Sequence, residues 1–453
     1  MAKALAIELH ARMASRGLVH QVSHADIDAR LSAAAGAGAG VSAYAGFDPT
    51  ADSLHVGHLS GIIGLMHAQR AGLRAIALVG GATGLIGDPS GRSSERLLLS
   101  REQVEANVAG IAGLLGRFLS FGEGAARLVN NLDWFSGMSA LDFLRDVGKH
   151  FRLGAMLSKD SVRSRMGWAE SAGAGGPGSS GAGTEEGMSY TEFSYQLLQG
   201  YDFYRLYKDH GCRLQLGGSD QWGNITAGTD LIRRLEGESG EAFGLTWPLV
   251  TTASGQKFGK SEGNAVWLTA ERTSVYEFHQ FWLNVADAMV RPYLLRFTFL
   301  PVEQIDEALV EHGREPGRRV AQRQLADSVT ELVHGRAAME AAVAAGRLAF
   351  GEGLTRVEGP VVGQLRGQMP VVELSEAAWL AGAGLLDLMV QSGLARSKSE
   401  ARRLVEQGGV RLGDEPVRDS TRTVVLEDFG GSAGLVLRKG KKDHALLVRS
   451  EAL

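Results

Sequence analysis

Two histidines at i and i+3 flank a glycine in His55-Val56-Gly57-His58. Far downstream, two lysines with the same spacing sit in Lys257-Phe258-Gly259-Lys260-Ser261. Imidazoles can hydrogen-bond a crowded α-phosphate, and ammonium groups can hold a departing pyrophosphate. Together these are the tools for cutting ATP between its α- and β-phosphates. Taken singly, each has a plainer reading, as a structural histidine or a solvated turn. A His-x-x-His pair also suits a metal, but no Cys, Asp or Glu cluster with ligand spacing accompanies it, so no metal site is expected. Gly57 lets a ligand approach the backbone, and a helix start there would add amide donors and a favourable dipole for phosphate. The lysine segment lacks the G-x-x-x-x-G-K-[ST] pattern of a fixed phosphate cradle, so it reads as a mobile clamp.

Three further segments carry polar groups at probable strand ends. Gly80 to Gly91 (GGATGLIGDPSG) is a glycine-rich turn in which Asp88 suits an amino group better than a bare anion. Arg92 and Arg96 beyond it suit phosphates or a solvated helix face. Tyr195, Gln199 and Asp202 fall at i, i+4 and i+7, one face of a helix, flanked by Phe193, Leu197, Leu198 and Phe203. Apolar flanks make that polar stripe a candidate pocket wall for a zwitterionic or phenolic ligand. In Gly217 to Asn224 (GGSDQWGN), Asp220 after a Gly-Gly turn can take ribose hydroxyls, or the segment is simply a tight turn.

These groups need a scaffold that gathers strand ends. Ser42 to Phe47 reads as a strand, Asp48-Pro49-Thr50 as a turn, and His58 to Arg70 as a helix. Ala75 to Val79 is a continuous apolar run of buried parallel-strand type, and Arg213 to Leu216 is strand-like. The alternation predicts a doubly wound α/β domain with ligands past the carboxyl ends of its strands. Trp134 to Met156 has helical periodicity that suits either core or a subunit interface. Ser171 to Gly183 (SAGAGGPGSSGAG) cannot bury apolar surface and reads as a flexible insertion. Helical segments dominate from Val275 to about Phe350. Gly351 to Ala383 looks like a connector, and a compact module begins near Leu385.

The chain has 453 residues, 44% hydrophobic and 22% charged, enough for two to four domains. A formal charge of −4 neither advertises nor excludes nucleic-acid binding. Cys212 is the single cysteine, so no internal disulfide forms. No apolar run approaches a membrane span, and no signal-peptide pattern is visible. Leu5 to Val22 is amphipathic and carries Arg12 and Arg16, which faintly suits an organellar presequence; an ordinary first helix is the expected reading.

Tyr44 to His58, Ile76 to Gly91, Thr191 to Phe203, Gly211 to Gly228 and Lys257 to Ser261 together resemble the bacterial and organellar type of tyrosyl-tRNA synthetase, a class I synthetase family. The resemblance implies a Rossmann-like doubly wound parallel sheet over residues 1–250, with a dimerisation region near 130–215. A helical domain spans 251–350, a linker 351–383, and a small α+β S4-like RNA-binding domain 384–453. It implies that Tyr44 and Asp202 bond the substrate phenol, that Asp88, Tyr195 and Gln199 hold the α-ammonium, and that Gln221 contacts the carboxyl or carbonyl. Asp48, Thr50, Gly57, His55 and His58 would contact ATP, and Asp220 its ribose. Lys257 and Lys260, with Arg92 and Arg96, would serve the pyrophosphate side. The implied catalytic group is His55, His58, Lys257, Lys260 and Thr50. Ala45, Arg92 and Ser261 depart from residues that some relatives carry there.

In the S4-like module Arg396, Lys398, Arg402, Arg403, Lys441 and Lys442 are the expected phosphate contacts, and residues from Gly384 onward carry 12 Lys+Arg against 10 Asp+Glu. The implied partners are L-tyrosine, ATP with Mg²⁺, tRNA(Tyr) and a second copy of the chain, with no membrane. The cytoplasm is the expected compartment, and the mitochondrial matrix or plastid stroma also fit. An RNA-binding relative without catalysis, a nucleotidyl transferase with another acceptor and a tryptophan-specific relative remain as other readings.

Overall fold

The structure is a computed structural model that describes residues 6–36, 41–89, 99–122, 125–159, 162–163, 188–251, 258, 260–261, 264–349, 355–440 and 443–450. Arg92, Arg96, Lys257, Lys441, Lys442 and the 171–183 segment lie outside these. The chain forms two units, residues 1–269 with 286–310, and residues 270–285 with 311–453.

In the first unit, α1 (Leu9–Ser15) buries Leu9 and Met13 as an ordinary folded helix. There follow β1 (Gln21–Val22), β2 (Ser42–Phe47), α2 (Leu59–Arg70), β3 (Arg74–Val79) and β4 (Arg127–Asn130). Then come α3 (Tyr190–His210), β5 (Cys212–Gly218), α4 (Trp222–Glu236) and β6 (Phe243–Trp247). The sheet order is β1-β6-β5-β2-β3-β4. Every pairing is parallel except β1 on β6, so the expected parallel sheet gains an antiparallel edge strand. The interior strands read as unbroken apolar runs because helices cover both faces: β3 is buried at five of six positions and β6 at all five. From β2 the chain winds one way to β3 and β4, then returns beside β2 as β5. The order therefore reverses between β2 and β5, and a crevice opens past their carboxyl ends.

Helix α3 explains how one segment carries both core and site. Ser189 and Glu192 form a capping box at its start, and Gly211 ends it at φ 61°, a left-handed position that favours glycine. Phe203 is fully buried, worth roughly 2–3 kcal/mol by area, and packs at 5.2 Å against the Tyr44 ring. The Asp287–Phe297 helix, expected within the helical domain, belongs to this unit instead. Its Tyr293 donates to Thr251 O at 3.0 Å and its Arg296 to Pro248 O at 2.5 Å.

In the second unit the Val275–Leu283, Val320–His334 and Arg336–Ala349 helices bury Phe278, Trp282, Leu325, Val329 and Ala345. The stretch expected to be a connector is folded. Val371–Leu374 pairs parallel with Asp443–Arg449, and Arg356–Val357 pairs with Gly434–Leu435. The reason is alternation. In the Gly434–Lys439 strand Leu435 and Leu437 face one apolar cluster while Val436 faces another, so both faces of the sheet need covering. Val357, Val362 and Leu365 supply that second cover. Leu385–Gln391 and Lys398–Glu406 are the two helices of the C-terminal module.

Candidate active site

A cavity of about 300 Å³ opens at the carboxyl ends of β2 and β5. Tyr44, Asp202, Tyr195 and Gln199 line it, as do Asp88, Gln221 and Asp220. Asp48, Thr50, Gly57 and His58 complete the set of expected residues on its wall. Thus eleven side chains or backbones, drawn from four separate sequence segments, meet in one place.

At the floor, Tyr44 is fully buried and its hydroxyl has no hydrogen-bond partner among the described residues. Burial, and next the charge of Asp202, push its pKa well above 10, so the hydroxyl stays a donor. Asp202, 1% exposed, accepts from Trp134 Nε1 at 2.9 Å and Asn131 Nδ2 at 3.1 Å. Burial raises its pKa to about 7, and the two donors hold it from rising further. The Asn131 amide is oriented by Ala82 N–H, which donates to its Oδ1 at 2.7 Å. Asn131 and Trp134 were not among the residues singled out from sequence. The available signal was polar Asn130-Asn131 at the end of an apolar strand.

The ammonium-side groups are connected differently from the expected partition. Tyr195 donates to Asp48 Oδ2 at 3.0 Å, and Thr83 donates to Asp48 Oδ1 at 2.9 Å. Asp48, expected beside ATP, is thereby bonded into the amino-acid side. Burial, then the charges of Asp48 and Asp88, raise the Tyr195 pKa well above 10. With its proton directed at Asp48, the Tyr195 oxygen offers the cavity an acceptor. Gln221 Nε2 donates to Asp88 Oδ2 at 2.7 Å, and Gln199 Nε2 donates to Gln221 Oε1 at 3.1 Å. Asn224, also not singled out, donates to Gln199 Oε1 at 3.1 Å. Four carboxylates (Asp48, Asp88, Asp202, Asp220) line the cavity, and no Lys or Arg among the described residues does.

At the mouth, His55 caps the turn into α2. Its Nδ1 accepts from Gly57 N at 3.0 Å, and His58 Nδ1 accepts from His55 N at 3.3 Å. Both rings therefore carry their proton on Nε2 when neutral, an assignment made from these bonds. The rings lie 4.0 Å apart, and His58 reaches the cavity while His55 backs it. A Cβ at position 57 would stand 2.7 Å from His55 Cε1, so only glycine permits this arrangement.

The segment just past the second motif meets the first through backbone. Val56 N donates to Val266 O at 2.9 Å, Leu268 N donates to Leu54 O at 2.9 Å, and His55 bridges Trp267. Lys260–Ser261 pairs with Asn264–Ala265 just before that junction. Phe258 is 7% exposed and stacks on Phe297 at 5.3 Å and 18°. An aromatic residue in a polar loop was the signal for this anchor.

Among the described residues no group of three or more His, Cys, Asp or Glu is placed to hold a metal ion, and no helix is long and apolar enough to cross a membrane. In the second unit Arg396, Lys398, Arg402 and Arg403 are all exposed at the Lys398–Glu406 helix, with Lys398 paired to Asp387 at 2.5 Å. In the Trp134–Met156 region Trp134, Val147 and Met156 are buried, while Leu141 and Leu153 are 79% and 65% exposed.

Residues 38–351 match the family of tRNA synthetases class I (W and Y), and residues 362–447 match the tyrosine--tRNA ligase SYY-like C-terminal domain. A tyrosine--tRNA ligase of Roseiflexus castenholzii is 48% identical over 411 residues, 90% of this chain and 92% of that protein. One of Anaeromyxobacter dehalogenans is 46% identical over 437 residues, 96% of this chain and 98% of that protein. Among solved structures, a C-terminally truncated mitochondrial tyrosyl-tRNA synthetase of Coccidioides posadasii is similar with a TM-score of 0.60 and 35% identity, covering 74% of this chain and 91% of that one. With the synthetase family matched across the catalytic segment and these relatives aligned over nine-tenths of its length, the chain belongs to the tyrosine--tRNA ligases of class I.

Proposed function

We propose that this chain activates L-tyrosine with ATP to tyrosyl-adenylate and pyrophosphate, then transfers the tyrosyl group to the 3′ end of tRNA(Tyr). The observation that carries the amino acid is the buried, unpartnered Tyr44 hydroxyl next to buried Asp202. A phenol entering there donates to Asp202 and accepts from Tyr44, so both groups gain a partner. Asp88, the Tyr195 oxygen and the Gln199 amide oxygen supply acceptors for the ammonium. Asp220, on the cavity wall, takes the ribose hydroxyls in this reading.

The carboxylate of tyrosine attacks the α-phosphorus, and the bond to the bridging oxygen of pyrophosphate breaks. Neutral His58, donating from Nε2, stabilises the charge that builds on the phosphate oxygens, with His55 ordering the turn beside it. Lys257 and Lys260 take the pyrophosphate side. Mg²⁺ would arrive with the triphosphate. The described carboxylates form no cage for it, since Asp48 and Asp88 are already bonded to Tyr195, Thr83 and Gln221. No protein nucleophile is required; positioning and matched charge carry the reaction.

The exposed arginines of the Lys398–Glu406 helix suit the tRNA backbone. Exposed Leu141 and Leu153 suit a second copy of the chain, and a protein that sediments as a monomer at micromolar concentration refutes that pairing. The deciding experiment for activity is amino-acid-dependent ATP–pyrophosphate exchange, followed by charging of tRNA(Tyr). Exchange with tyrosine alone is expected. Equal exchange with tryptophan or phenylalanine would sink the assignment.

A further inference from the structure

Arg16, just past α1, is 9% exposed, and among the described residues its guanidinium donates to four backbone carbonyls. Nε donates to Leu295 O at 2.8 Å, Nη1 to Leu300 O at 2.8 Å, and Nη2 to Thr298 O at 2.8 Å and Leu294 O at 3.3 Å. These are the last-turn carbonyls of the Asp287–Phe297 helix and the residues just beyond it. The final carbonyls of a helix lack partners within it, and they carry its negative end, so a cation there satisfies and orients them. Burial lowers the Arg16 pKa, with the charge of Arg70 adding to it, which fits a guanidinium withdrawn from water.

The same helix grips the chain that leads into the lysine motif. Tyr293 Oη donates to Thr251 O at 3.0 Å, Arg296 Nη1 to Pro248 O at 2.5 Å, and Phe297 stacks on Phe258. Residues 294, 295 and 298 thus face Arg16, while 293, 296 and 297 face the loop's described ends. Moving the helix end moves Pro248, Thr251 and Phe258 together. Phe258 O also lies within 3.5 Å of the Cβ direction of Gly57, the glycine between the two histidines.

We propose that Arg16 is a positioning residue for the activation step, acting through this helix to hold Phe258, within the lysine motif, beside the histidine turn. The inference rests on the reading of Lys257 and Lys260 as the pyrophosphate-side groups. Lysine cannot substitute, because a single ammonium does not span the fan of carbonyls that the planar fork spans. A displacement of about 1 Å at reacting groups can lower a rate by as much as ~10²-fold.

The test is a double-mutant cycle on the full-length protein, combining Arg16→Lys with Lys260→Ala. Arg16→Lys is expected to lower the rate of adenylate formation by roughly tenfold. Tyrosine affinity, measured at equilibrium without ATP, is expected to stay within about twofold, because tyrosine groups lie on other elements. In the Lys260→Ala background the same change is expected to cost less than about threefold, since the group it positions is gone. A merely structural role predicts multiplicative losses and a fall in tyrosine affinity, and either result overturns the proposal. If Arg16→Lys does not fold, Tyr293→Phe takes its place in the cycle with the same expectations, because it removes only the hydroxyl that holds Thr251. Absence of tyrosine-dependent exchange in the unaltered protein overturns the functional reading and this inference with it. Normal exchange with a multiplicative cycle overturns the role of Arg16 alone.

Discussion

Tyr44→Phe should make the free protein more stable and the enzyme less selective. The Tyr44 hydroxyl is fully buried and unpartnered among the described residues. Leaving a buried hydroxyl unsatisfied costs ~1–3 kcal/mol. Removing one oxygen leaves too small a gap to cancel this, and the ring keeps its 5.2 Å contact with Phe203. The free variant should therefore gain about 1 kcal/mol, a rise in Tm on the order of 1–2 °C for a unit of this size. With tyrosine bound, the balance inverts, because the phenol loses the donor that only Tyr44 supplies. That bond is worth ~1–1.5 kcal/mol, so tyrosine should bind roughly tenfold more weakly while phenylalanine binding is unchanged or improved. Thermal unfolding without ligand, and pyrophosphate exchange with each amino acid, read the two effects separately. A variant that loses stability while keeping its full preference for tyrosine would refute the reasoning, because the hydroxyl would then be serving the core.

Asp202 makes a pH-dependent prediction. Its folded pKa of about 7 exceeds that of an ordinary carboxyl, so between pH ~4 and 7 the folded state holds a proton that the unfolded state releases. Its stabilising contribution is complete below pH ~4 and is lost as pH rises to 7; Asp202→Asn should flatten that decline in urea unfolding, and an unchanged slope would count against it. Tyrosine affinity should rise through pH 7 as the carboxylate forms, since a charged acceptor binds the phenol more strongly. Gly57→Ala places a Cβ at 2.7 Å from His55 Cε1 and should lower adenylate formation by roughly 10²-fold with tyrosine affinity intact; equal losses in both would exclude a role confined to the phosphate. Arg402→Ala with Arg403→Ala should raise the KM for tRNA, reduce the salt slope of binding by about 2 and leave exchange untouched, and an unchanged slope would remove these residues from the RNA footprint.

The strands were legible because continuous apolar runs ending in Gly or Asp carry a strong local signal. Ser42–Phe47 falls as read, and the run read over Ala75 to Val79 begins one residue earlier at Arg74. Parallel order then placed Asp48, Asp88 and Asp220 near one another without further information. What was not legible depends on partners distant in sequence. Trp134 looks like a core aromatic until Asp202 arrives from α3 to accept its N–H. Gly351 to Ala383 reads as a connector because the strands described within it, Arg356–Val357 and Val371–Leu374, are two and four residues long and gain meaning only beside Gly434–Lys439 and Asp443–Arg449. The Asp287–Phe297 helix looked like one more helix of a bundle, since amphipathic periodicity does not name the surface that a helix covers.

The charge distribution of the cavity explains why the two opening motifs are separated in the chain. Its described wall carries four carboxylates and the imidazole of His58, with no Lys or Arg. Such a wall attracts an ammonium and repels a triphosphate. Were cations fixed in the same wall, Asp48 and Asp88 would pair with them, and the amino-acid site would be spent on internal salt bridges. Imidazoles suit this wall better than ammonium groups: a neutral ring donates a hydrogen bond to phosphate without offering a full charge to the carboxylates. The positive charge that the phosphates need then has to come from a segment anchored outside the wall. Phe258 against Phe297, and the pairing of Leu54 and Val56 with Val266 and Leu268, hold Phe258 and Val266–Leu268 beside the histidine turn. On the proposed assignments, tyrosine recognition and phosphate stabilisation lie on different elements, which is why substitutions at Gly57 or Arg16 should alter the rate of activation and leave tyrosine affinity alone.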